Sequence, residues 1–184
     1  MQRYGRFAIL LHWLIGLALI GQVVFGVLLD DIAPRGTPSR GMVVNLHKSI
    51  GIVLAVLVFV RLAWRLRHPP PDWPQTMARW QRRAAALNHR LLYACMIVTP
   101  ASGYVASNFS KHGVKFFGVS LPPWGPDLPR VYEVLNGLHD AAAYLLVALV
   151  VAHVLGALKH ALVDRDGVFS RMWPAPSRGH GPGR

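Results

Sequence analysis

Acidic side chains are scarce in this chain: eight Asp and Glu stand against twenty Lys and Arg, and only one of the 184 residues is cysteine. A lone Cys95 excludes a disulfide, an iron–sulfur cluster or a zinc knuckle within the chain, since each needs more than one thiolate. There is no phosphate-binding loop, no dinucleotide fingerprint and no paired-histidine zinc-protease motif. Charge of either sign is sparse, at 15% of residues against the roughly 25% usual in soluble domains. What replaces it is apolar: 53% of the chain is hydrophobic and the mean hydropathy is +0.33. This composition reads as an integral membrane protein.

Four apolar stretches, Phe7 to Leu29, Met42 to Leu66, Ala84 to Ser107 and Val134 to Leu162, each supply the ~20 residues that a helix needs to cross about 30 Å of hydrocarbon. The first has Arg3 and Arg6 ahead of it, as a signal peptide would. It is longer than a usual signal core, carries His12 and Trp13, and ends in Asp30-Asp31 without a small-residue cleavage site, so it reads as a retained helix. The expected fold class is an all-α membrane protein, a four-helix transmembrane bundle over residues 1–173. A Pro-, Gly-, Ser- and Arg-rich tail, 174–184, is expected to be disordered.

The net charge of +12 suggests nucleic acid until its distribution is considered. Arg3 and Arg6 precede the first stretch, Arg65, Arg67, Arg79, Arg82, Arg83 and Arg90 crowd the connection between the second and third, and Lys159, Arg165, Arg171, Arg178 and Arg184 follow the fourth. The other two connections hold fewer cations, mixed with Asp30, Asp31, Asp127 and Glu133. The positive-inside rule then puts both termini and the middle loop in the cytoplasm, so the basicity reads as a topology signal and no nucleic-acid partner is expected.

Histidine carries the chemistry. His139 and His153 lie fourteen residues apart, an advance of roughly 21 Å that comes within about 40° of four full turns, so both imidazoles share one face at two depths. Ionisable groups in hydrocarbon are costly and need partners. His47 matches His139 at the outer depth, and His12 matches His153 at the inner depth. Each pair offers two axial nitrogens for one haem b, making six-coordinate iron suited to electron transfer. Four residues after each histidine stands a small one, Gly16, Gly51, Ala143 or Ala157, leaving room for a flat macrocycle. His89, between Asn88 and Arg90, is a rival inner ligand but reads better as a solvated or propionate-contacting group. His68 and His180 fall in a loop and the tail. Arg61, fourteen residues after His47, needs an anion at the inner depth, and a haem propionate is the natural one. His160, seven residues beyond His153 and ~10 Å nearer the cytoplasm, is placed to hydrogen-bond a quinone carbonyl and pass it a proton.

RFAILLHWL from Arg6, NLHKSIGIVLAVLVFVRLAWR from Asn45, TPASGY from Thr99 and the His139/His153 helix together resemble the bacterial, four-helix cytochrome b561 family, over nearly the whole chain up to Trp173. More distantly the chain resembles the cytochrome b subunits of hydrogenases and formate dehydrogenases. The resemblance implies His12 with His153 on one haem b, His47 with His139 on the other, and His160 beside a ubiquinone site. In superoxide-oxidising members an outer basic surface guides the anion; Lys48, Lys111, His112 and Lys115 are the candidates here. The expected activity is electron transfer from an outer donor, superoxide or a periplasmic redox protein, to ubiquinone in the lipid bilayer, as in a superoxide:ubiquinone oxidoreductase. The alternative is a non-catalytic membrane anchor and electron conduit for a partner dehydrogenase or cytochrome.

Overall fold

The computed structural model describes residues 3–174. Its framework is four long helices: α1 (Arg6–Val27), α3 (Arg40–Arg67), α4 (Arg79–Asn108) and α5 (Pro129–Lys159), with a single turn, α2 (Leu29–Ile32), after α1. Three of them, α1, α3 and α5, are long and apolar enough to cross a membrane. The fourth expected span is present as a helix of 30 residues. It is more polar than the others because Arg79, Gln81, Arg82, Arg83, Asn88, His89 and Arg90 fill its first turns.

Each helix begins and ends where its sequence dictates. Pro129 opens α5, where its missing N–H costs nothing. Pro69, Pro70 and Pro71 follow α3, and His68 closes it by stacking on Trp64 at 3.8 Å between ring centres. Arg40 ties the start of α3 to the turn after α1 through Asp30 at 2.5 Å and the Ala33 carbonyl at 2.8 Å.

α4 packs along α5, α1 along α3, and α3 meets α4. Burial in α1 follows Leu11, Ile15 and Gln22, and in α5 Ala142 and Leu146, both at helical spacing. Leu11, Ile15 and Val58 form one buried cluster, Leu92, Cys95 and Leu146 another, and Met96 packs against both. Leu146, 1% exposed, lies seven residues from each of His139 and His153, so the dense core separates the two histidine levels. Leu10, Leu14, Leu17, Ile20 and Val24 of α1 and Tyr144, Val151 and Leu155 of α5 are exposed, an apolar exterior that suits lipid rather than water.

Two departures from an all-α reading stand out. The connection between α4 and α5 folds as an antiparallel hairpin, β1 (Val114–Phe116) with β2 (Val119–Leu121), turned at Phe117-Gly118 with positive φ at both. It is clipped to α3: Asn45 Oδ1 accepts the Lys115 amide at 2.9 Å, and Ser49 Oγ, fully buried, accepts the Phe117 amide at 2.9 Å and donates to the Lys115 carbonyl at 3.1 Å. At the other end, α5 widens into a π-helical turn, His160–Asp164, and a strap follows containing the 3-10 turn Phe169–Arg171. The strap is fastened to α1, with Trp13 Nε1 donating to the Met172 carbonyl at 2.8 Å and Trp13 meeting Trp173 edge-on. The expected tail lies outside the described residues, apart from its first.

Candidate functional site: two histidine levels

The α5 stripe that buries Ala142 and Leu146 turns His139 and His153 inward at its two ends, each half-buried. His139 meets His47 of α3 with ring centres 6.3 Å apart, and His153 meets His12 of α1 at 6.0 Å. The structure therefore brings together both expected pairs. It draws in His89 as well, whose ring centre is 5.2 Å from that of His153; packing of α4 on α5 half-buries this side chain, which departs from the solvated position expected of it and leaves the propionate-contacting one open.

One nitrogen of three of these rings is already engaged. His139 Nδ1–H donates to the Thr99 carbonyl at 2.7 Å. His47 Nδ1 faces Gln22 Nε2 at 3.1 Å, and the same amide donates to the His47 carbonyl at 2.7 Å. His12 Nδ1 lies 3.3 Å from the Arg61 guanidinium. In each ring Nε2 is the nitrogen left over.

Two glycines stand directly against these rings. A β-carbon on Gly103 would stand 2.7 Å from His139 Nδ1, and one on Gly26 would stand 3.0 Å from His47 Cε1. Both lie on the facing helix. Of the small residues four positions after the histidines, Gly16 has open space and Gly51 makes room for the Gln22 amide at 3.5 Å.

Arg61 donates to Tyr93 Oη at 3.1 Å and to the Ala8 carbonyl at 3.2 Å. Among the described residues it has no acidic partner, although half-buried. His160 Nδ1 donates to Asp166 at 2.8 Å, and Asp164, which is held by Lys159, stands 3.2 Å away. Of the proposed steering residues, Lys111, His112 and Lys115 are exposed near the hairpin, whereas Lys48 donates to the Gly113 carbonyl at 2.8 Å and helps hold the hairpin down.

The sequence profile of the family described as prokaryotic cytochrome b561 matches residues 3–175. The chain belongs to the prokaryotic cytochrome b561 family. These cytochromes are membrane electron-transfer proteins that bind b-type haem. Cytochrome b561 homolog 2 of Escherichia coli K12 is 30% identical over 182 residues, covering 98% of this chain and 96% of that protein. Cytochrome b561 homolog 1 of the same organism is 27% identical, covering 95% and 98%. A Yersinia pestis protein named probable superoxide oxidase CybB is 26% identical, covering 94% and 97%.

The histidine levels of this cytochrome fit the family's group. Two imidazoles that ligate one iron from opposite faces, each nitrogen about 2 Å from the metal, hold their ring centres about 6 Å apart, and both pairs stand at that separation. His139 already has the arrangement a ligand needs, with Nδ1–H on a carbonyl and Nε2 free. His47 faces an N–H group instead, but Gln22 Oε1 is buried without a partner. The nitrogen of that amide is also held by the His47 carbonyl at 2.7 Å, so Gln22 sits against both polar groups of His47 and fixes the ring.

Sequence reading missed Gln22, although it is a lone amide in the apolar run LALIGQVVFGV. In the haem-loaded protein, Gln22→Leu is expected to shift one of two resolved midpoint potentials and leave the other in place, because hydrogen bonds to an axial histidine tune the metal. Potentiometric titration of the visible spectrum checks this; two unshifted potentials would dissociate Gln22 from the outer level.

Proposed function

We propose that this cytochrome carries electrons across the bacterial inner membrane from superoxide on the outer side to ubiquinone at the cytoplasmic side, as a superoxide:ubiquinone oxidoreductase. The single observation that carries the reading is the pair of inter-helix histidine contacts, 6.3 and 6.0 Å between ring centres, one at each end of α5.

In this reading His47 and His139 hold an outer haem b, and His12 and His153 an inner one. When bound, haem b supplies a reversible one-electron couple at each level. The protein supplies the rest. The dense layer around Leu146 keeps water from between the levels, and Arg61 gives a propionate a guanidinium that has no acidic partner among the described residues. Lys111, His112 and Lys115, with Lys48 behind them, make the outer mouth attractive to an anion. His160 hydrogen-bonds the quinone. Residues 1–173 act as one four-span unit with both termini in the cytoplasm.

Stopped-flow reduction of ubiquinone driven by a pulse of superoxide tests this. Reduction should occur, and its rate should fall about tenfold or more as salt is raised, because steering of an anion is screened. Absent or salt-independent reduction would remove superoxide as the donor.

A second reading is favoured by one feature of the outer surface, where Phe117, Val119 and Trp124 are all exposed. Such a surface suits a periplasmic dehydrogenase or cytochrome delivering electrons to an anchor. Co-purification of a second redox protein, lost on Phe117→Ser with Trp124→Ser, would select it.

A further inference from the structure

The π-helical turn that ends α5 does more than close a helix. His160 is 11% exposed at its side chain and Asp166 8%, so their 2.8 Å contact is almost closed to solvent. Arg165 and Gly167 both adopt positive φ, 50° and 77°, and these two left-handed residues on either side of Asp166 turn the chain back towards α5. For Arg165 that conformation is unfavourable, and the folded structure imposes it. Both carboxylate oxygens of Asp166 are then fixed. Oδ1 accepts the Val168 amide at 3.1 Å, and Oδ2 accepts His160 Nδ1–H at 2.8 Å.

Asp164 also approaches His160 Nδ1, at 3.2 Å, but it is committed elsewhere. Its two oxygens accept Lys159 Nζ at 2.7 and 2.5 Å, and Gln81 of α4 reaches it at 3.5 Å. The titratable and charged groups around His160 are therefore Asp166 and Asp164, with Lys159 behind Asp164; Arg165 points away, to the Leu162 carbonyl. Lys159 answers the charge of Asp164. Asp166 has no cation except His160 among the described residues.

We propose that Asp166 is the positioning residue that fixes His160 as proton donor to the quinone. This inference rests on the ubiquinone reading above. Asp166 holds Nδ1–H, which fixes the ring and leaves the Nε2–H of the doubly protonated imidazole as the proton presented to substrate. As the quinone gains electrons from the outer donor, its carbonyl oxygen becomes basic and takes the Nε2 proton. The N–H bond breaks and an O–H bond forms, and the neutral imidazole regains a proton from water at that membrane face. Two electrons and two such protons convert one quinone to one quinol. Fastening of the strap to Trp13 keeps Asp166 in register between α1 and α5.

The test uses full-length, haem-loaded protein, pre-reduced with dithionite and mixed with a short-chain ubiquinone across the titration range of histidine. Asp166→Asn should slow quinone reduction about 10- to 100-fold and change the pH profile, because the carboxylate that holds Nδ1–H is gone. Haem content and midpoint potentials should not change. Asp166→Glu should recover part of the rate, and Asp164→Asn should stay within about twofold of the parent protein. A parent-like pH profile and rate in Asp166→Asn, with His160→Ala slow, would overturn the role of Asp166 alone. Equal losses in Asp164→Asn and Asp166→Asn would also overturn it, by showing general damage to the strap. A parent-like rate in His160→Ala would overturn the quinone assignment itself.

Discussion

Purified His153→Ala protein is expected to carry about one haem b per chain against the two proposed for the parent protein, measured by the pyridine haemochrome assay. His153 is the centre of the inner cluster: its ring lies 6.0 Å from that of His12 and 5.2 Å from that of His89. An iron with two axial imidazoles needs about 6 Å between ring centres, which the first contact provides and the second does not. His89→Ala should therefore keep about two haems. His47→Ala should lose the outer group as His153→Ala loses the inner one, and the two variants should differ in which midpoint potential survives. Two haems in His153→Ala, or one in His89→Ala, would reassign the inner pair.

Replacing Gly103 by alanine is expected to empty the outer level almost as completely as removing His139. The new methyl would stand 2.7 Å from His139 Nδ1 and 3.1 Å from Cε1, closer than non-bonded atoms tolerate. The ring is held between α4 and α5 by its bond to the Thr99 carbonyl, so it has to leave that bond to escape. Overpacking of this kind costs about 1–3 kcal/mol, and here the cost falls on the group that sets the ligand's orientation. Haem content should drop towards about one per chain, with the potential of the remaining group unchanged. Gly21, exposed and with nothing within 4 Å of an added β-carbon, provides the comparison: Gly21→Ala should keep both haems. Full occupancy in Gly103→Ala would show that the facing helix yields and that this glycine does not seat the ligand.

The helices and the histidine levels were legible because both depend on periodicity. Apolar length marks α1, α3 and α5, and fourteen residues of α-helix put His139 and His153 on one face whatever the surroundings. Pairing across helices was legible too, since topology fixes depth. Side-chain room was not. The small residues four positions along the same helix were read as room for a macrocycle, and Gly16 does have open space beside it; Gly26 and Gly103, which touch the rings, sit on other helices, and their registers depend on packing that no local pattern records. Gln22 was overlooked for the same reason: an amide in an apolar run is visible, but its partner is not. The hairpin had a local signal, Phe117-Gly118 between two alternating triplets, hidden by the prolines around it. His160 was placed correctly at the end of α5. Its two carboxylates were not foreseen, because the left-handed turns at Arg165 and Gly167 that bring Asp166 back are set by tertiary contacts of the strap.

α5 contributes one histidine to each level, His139 above and His153 below. A nascent chain that has inserted α1, α3 and α4 therefore holds His12 and His47 as two half-sites, with neither contact complete. Both levels therefore depend on the same long helix: without α5, neither His12 nor His47 has its facing histidine, and a single truncation takes away both contacts at once.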